Sequence, residues 1–156
     1  MRAVRTIKRL AAASIWGPHG VDVSDDRVRW LLRVGLPLYD VFCAGFGVFA
    51  FIGAVPALRD SFGETYAQSF GLTLSMTALV CLVGVAFPSH LWRIEFWGKC
   101  LLLGLLLIYG LAVFIAGFGS GDIGRSGVGF AILAMAVLPS WRVSDIARDK
   151  EVHQWK

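Results

Sequence analysis

The sequence predicts an all-α integral membrane protein: a bundle of four transmembrane helices, preceded by a basic amphipathic helix at the cytoplasmic interface. Three observations predict it. Hydrophobic residues make up 56% of the 156-residue chain and charged residues 17%, against roughly 45–50% and about 25% in soluble globular domains. The mean hydropathy is +0.66. The apolar residues also fall into four runs near the ~20 residues that a bilayer core requires as helix, while the charges gather at the chain ends and in short spacers. This pattern excludes a soluble enzyme, a disordered tail and a disulfide-stapled secreted module. A membrane β-barrel is excluded too, because its strands alternate apolar and polar residues and these runs do not.

Residues 1–30 are read as an interfacial segment and lead-in. Over 1–16, Arg2, Arg5 and Arg9, with Lys8 beside them, form a basic face, and Val4, Ile7, Ala11 and Ile15 an apolar one. Such a helix lies in the headgroup plane and attracts anionic lipid. A cleaved signal peptide is the rival, but Leu10 to Trp16 is a poor apolar region without a convincing cleavage site. Gly17-Pro18-His19-Gly20 breaks the helix, and Ser24-Asp25-Asp26 reads as the N-cap of the next one.

The transmembrane domain is placed at 31–141. Its first helix runs from about Val34 to Leu58, with a bend expected at Pro37. The second, Tyr66 to Phe87, carries no charge and ends at Pro88. The third, about Phe96 to Phe118, holds the run Leu101 to Ile108. The fourth, about Gly127 to Trp141, is short and must borrow flanking residues to span. Residues 142–156 form a mixed-charge cytoplasmic tail, either a solvated extension of helix four that caps and anchors it, or a docking tail.

Thirteen of the fifteen Lys and Arg residues fall on one side of this arrangement, with only Arg59 and Arg125 on the other. The positive-inside rule then puts both termini in the cytoplasm, in an inner membrane. Trp16, Trp30, Trp92, Trp97 and Trp141 fall near the same boundary, as an aromatic belt would. The net charge of +4 is thus assigned to topology and anionic lipid, not to nucleic acid.

Few residues carry chemistry. Asp40 is the most informative, because a carboxylate at mid-membrane costs about 2.5–3.5 kcal/mol on insertion scales and usually has a task there. If the span starts at Val41 instead, Asp40 sits at the interface, paired with Arg33 or a base from another helix. Glu95 and Lys99 stand four apart, acid first, the favoured order for a helical salt bridge at the surface. The alternative is an intramembrane contact between Asp40 and Lys99, which lie at similar depth.

Gly45, Gly47, Ala50, Gly53 and Ala54 in helix one, and Ser69, Thr73, Ser75 and Thr77 in helix two, favour close helix packing, within the chain or between copies. Gly117 to Gly121 adds a Gly-x-x-x-Gly motif. Phe87-Pro88-Ser89 and Leu138-Pro139-Ser140, each followed by Trp and Arg, read as a chance echo. Cys43, Cys81 and Cys100 and the scattered His19, His90 and His153 match no metal-ligand spacing, and no catalytic or cofactor-binding motif appears. The sequence therefore predicts no enzyme, cofactor or metal.

The Arg33-Val34-Gly35-Leu36-Pro37-Leu38-Tyr39-Asp40 entry, the Trp92-to-Glu95 stretch, the basic N-terminal segment and the mixed-charge tail together resemble small four-helix membrane proteins of actinobacteria and their phages. That resemblance implies a holin-like, self-assembling membrane protein without enzymatic activity. Four helices with an acid in the first also look like small multidrug resistance transporters, which implies proton coupling through Asp40; this chain departs from them in its length and its basic N-terminal extension. An accessory subunit that binds another membrane protein is the third expectation.

Overall fold

The computed structural model describes residues 14–16, 26–53 and 55–154. The basic face Arg2, Arg5, Lys8 and Arg9 and the expected cap at Ser24-Asp25 lie outside the described residues. Among those described, the chain is all-helical with no strand. Four helices, Val28–Phe51, Glu64–Ala86, Leu91–Ser120 and Ile123–Arg148, are long and apolar enough to cross a membrane. That is the make-up of a multi-pass membrane protein.

The first of them is built from α1 (Asp26–Trp30), a π-helical turn (Leu31–Gly35) and α2 (Leu36–Phe51). The π turn, in which Leu36 N–H reaches back to Leu31 O, sits immediately before Pro37. Proline has no N–H for the carbonyl four residues earlier, which here belongs to Arg33. The indole Nε1–H of Trp16 donates to that carbonyl at 3.0 Å instead. The expected disturbance at Pro37 is therefore a widened turn fastened from outside the helix.

This helix starts earlier and ends earlier than the 34–58 expected. It stops at Phe51 because the chain turns at Gly53, whose φ of 77° is open to glycine. Pro56 then opens a separate short helix, α3 (Pro56–Phe62). The shift moves Asp40 from the edge of the span to its middle: it is the thirteenth of the 24 residues in Val28–Phe51.

α4 (Glu64–Ala86) and α5 (Pro88–Ser120) follow. Pro88 occupies the first turn of α5 rather than an interior position, and Leu91 kinks its start. The fourth long helix borrows residues at both ends of the expected 127–141: α6 (Ile123–Met135) begins at an Asp122 cap, whose carboxylate accepts Arg125 N–H at 3.0 Å. After a break at Ala136 the helix resumes as α7 (Val137–Gln154). The break has a cause three residues on. Pro139 leaves Met135 O without a backbone donor, and the Tyr39 hydroxyl, from α2, donates to it at 2.5 Å. Both prolines of the echo stand in the first turn of a helical segment, but Pro88 follows a break in the chain direction at Phe87, whereas Pro139 follows a local break at Ala136 within one long helix.

Each long helix packs on the next in chain order, α2 on α4, α4 on α5, and α5 on α6 and α7. Missing side chains set how close they come. A Cβ on Gly47 would stand 2.7 Å from Gly71 O and 2.6 Å from Ser75 N, so α2 and α4 touch backbone to backbone. Ser75 Oγ donates across the same seam to Ala44 O at 3.0 Å. A Cβ on Gly117 would likewise meet Ser126 N at 2.5 Å, so the glycine motif closes the α5–α6 hairpin within the chain.

Leu74, Leu102, Leu106 and Val113 are fully buried between the helices, while Phe42, Phe49, Ile108, Ile115, Phe118 and Phe130 face outward. Apolar residues on all sides of a helix suit a hydrocarbon surrounding. Ser14–Trp16 folds against the arginine-rich end. Ile15 N–H donates to Ala86 O at 2.9 Å, and the Ile15 side chain is buried with Leu32, Leu36 and Val85. Ile15 therefore seals the bundle and does not belong to a lipid-facing helix stripe.

Candidate functional site: a buried ionic core

Burying apolar faces would leave a bundle like this without charge, yet four charged side chains are enclosed in it. Asp40 on α2 and Glu95 and Lys99 on α5 have no exposed surface, and Arg142 on α7 is 7% exposed. Removing a charge from water is tolerated only when a partner and hydrogen bonds replace the solvent. The structure supplies both.

Lys99 Nζ donates to Asp40 Oδ1, joining α5 to α2. The ammonium also lies 5.6 Å from the centre of the Tyr39 ring, a cation–π contact that adds to the pair. One turn earlier on α5, Glu95 receives a two-pronged contact from Arg142, Nε to Oε1 at 2.6 Å and Nη2 to Oε2 at 3.2 Å. This fork geometry is the strong form of an Arg–carboxylate pair. Arg142 Nη1 continues to Asp145 Oδ2 at 2.7 Å, and the Asp145 side chain is 24% exposed. The polar chain thus runs inward from a partly solvated carboxylate to Glu95, one turn of α5 before the sealed Lys99–Asp40 pair. Beyond Lys99, towards the far end, lie the fully buried Leu74, Leu102 and Leu106.

The Glu95–Lys99 pair expected along one helix is not formed. Each residue instead bonds a different helix. A same-helix pair would leave Asp40 buried without a counter-ion and Arg142 with Asp145 alone; the cross-helix arrangement gives each of the four a partner. Gly84 makes room for it, because a Cβ there would stand 2.9 Å from Glu95 Cα. Arg33 is not the ion-pair partner of Asp40; its carbonyl receives Trp16.

One feature of the core is incomplete: Asp40 Oδ2 is buried and accepts no hydrogen bond among the described residues. A carboxylate held by one oxygen only can take a proton on the other, and protonation would release Lys99. Glu95, one turn away on the same helix, is within the natural reach of a lysine side chain. The arrangement can therefore exchange a proton for a change of partner. The buried cysteines Cys43 and Cys81 pack beside Tyr39 and are free thiols. No group of ligands suited to a metal occurs among the described residues.

Sequence reasoning missed Arg142, Asp145 and Tyr39. A signal for Arg142 existed: Glu95 at membrane depth requires a cation, and Arg142 stands at the matching end of the fourth apolar run. Tyr39 carried no such signal, because its partner is a backbone atom exposed by a proline 100 residues away. The chain matches no family model, curated protein or solved structure.

Proposed function

We propose that this chain is a small, non-enzymatic, proton-coupled membrane carrier in which Asp40 is the protonation site and Lys99 its exchangeable partner. The observation that carries the reading is the Asp40–Lys99 pair itself, fully enclosed at mid-helix with one carboxylate oxygen unsatisfied. Ionisable residues at such depth mark ion or proton pathways. The Asp145–Arg142–Glu95 chain brings polar groups from the arginine-rich end to within one helical turn of the site, and the leucine layer closes it from the opposite end. This asymmetry between the two ends supports the reading, because one state of an alternating-access cycle requires it. A cationic solute would compete for Asp40, an anionic one for Lys99.

A rapid pH change applied to proteoliposomes adsorbed on an electrode tests this without knowledge of the solute. The wild-type chain is expected to give a transient charge displacement that Asp40→Asn removes. No displacement from the wild type, or an unchanged one from Asp40→Asn, overturns the reading. Release of an encapsulated dye that is indifferent to Asp40 would instead favour the holin-like alternative, and a stoichiometric co-purifying chain the accessory-subunit one.

A further inference from the structure

A second site lies on the outside of the bundle, away from the ionic core. Between α4 and α5 a cleft of about 460 Å³ opens sideways, lined by Met76 and Val80 on one helix and Arg93, Ile94, Trp97 and Leu101 on the other. Arg93, Trp97 and Leu101 are spaced by four residues, so they line one face of α5; Met76 and Val80 do the same on α4. From Arg93 to Leu101 the groove runs about 12 Å inward from the arginine-rich end. Its floor is smooth at Gly98, where a Cβ would stand 2.9 Å from Cys81 Sγ.

The two ends of this groove differ in chemistry. The inner part is apolar and open, with Met76 57% and Leu101 53% exposed. The outer end carries Arg93, whose guanidinium lies 5.3 Å from the Trp92 ring centre and has no carboxylate partner among the described residues. Trp97, 70% exposed, stands between the two and offers both an apolar ring and an indole N–H. One apolar tail continued by one negative charge complements this surface along its whole length.

We propose that the α4–α5 groove is a binding site for an anionic phospholipid, whose acyl chain lies along Val80, Trp97 and Leu101 and whose phosphate pairs with Arg93. The site is separate from the Asp40–Lys99 pair and does not require that pair to carry protons.

Trp97 reports on it directly. The full chain is placed in phosphatidylcholine nanodiscs doped with bromine-labelled phosphatidylglycerol or, at the same fraction, bromine-labelled phosphatidylcholine. The Trp97 contribution is taken as the difference between wild type and Trp97→Phe. Occupancy by phosphatidylglycerol is expected to be favoured roughly five-fold, the effect of one basic residue near an anionic headgroup, and Arg93→Gln should equalise the two lipids. Filling the groove with Val80→Phe should weaken quenching by both. Equal quenching in the wild type, or a phosphatidylglycerol preference that survives Arg93→Gln, overturns the proposal. So does a dimer in which Trp97 is shielded from both lipids, since a second copy would then occupy the groove.

Discussion

Tyr39 and Met135 are 96 residues apart, yet the hydroxyl of one completes the backbone of the other at 2.5 Å. Pro139 creates the need and Tyr39 meets it. Tyr39→Phe should leave a buried carbonyl unsatisfied and lower stability by about 1–3 kcal/mol. Pro139→Ala restores an N–H to the fourth helix, so in that background Tyr39→Phe should have little effect. Unfolding in detergent for the two single variants and the double variant gives the coupling; additive effects would show that the hydroxyl is not replacing the proline's missing donor.

The ionic core predicts an asymmetry between breaking a pair and removing it. Lys99→Met leaves Asp40 buried without its cation and should destabilise by about 3–5 kcal/mol, whereas Asp40→Leu with Lys99→Met removes both charges and should recover most of that loss. Denaturant titration of the folded fraction measures both. A double variant no better than the worse single one would contradict an interaction confined to these two residues.

Helix contact at Gly47 is set by backbone atoms of α4, which cannot move aside as a side chain can. Gly47→Ala should therefore destabilise by about 1–3 kcal/mol through overpacking. Gly45→Ala, at a position with nothing within 4 Å of the added carbon, should be neutral or slightly stabilising, because alanine favours helix. Thermal unfolding of the pair distinguishes a packing seam from a general intolerance of substitution in this helix.

Trp16 binds the chain ahead of the bundle to the widened turn at Leu31–Gly35. Trp16→Phe keeps the ring and loses the donor to Arg33 O, which should cost about 0.5–1.5 kcal/mol. Limited proteolysis is expected to cut sooner between Trp16 and Asp26 in this variant, with the transmembrane fragment unaffected. An unchanged cleavage rate would mean that burial of Ile15 alone holds the segment.

Much of this architecture is legible in the sequence, and the reason is physical. A run of apolar residues long enough to span identifies itself, and Asp40 and Lys99 stand out because charge is rare within such runs. What escapes is what prolines do. Pro37 and Pro139 were visible, but which distant donors would serve Arg33 O and Met135 O depends on how the helices come together. The same ignorance hid Arg142. With the fourth helix expected to end at Trp141, the next residue belonged to a tail, whereas the continuous α7 carries it back to Glu95. Ile15 escaped too, since a single apolar residue before Gly17 has no period that distinguishes lipid from protein as its neighbour.

The Glu95–Arg142 fork also has a history within the life of each molecule. Synthesis proceeds from the N-terminus, so Glu95 is made 47 residues before the arginine that neutralises it. Until Arg142 follows, the cation one turn from Glu95 on the third helix is Lys99, which Asp40 already engages. A chain interrupted at Trp141 would hold all the residues of the expected four spans and still lack the charge that settles Glu95. Such a truncated product should be inserted poorly or degraded early, making the stretch of α7 that begins at Arg142 a checkpoint on completion rather than a dispensable end.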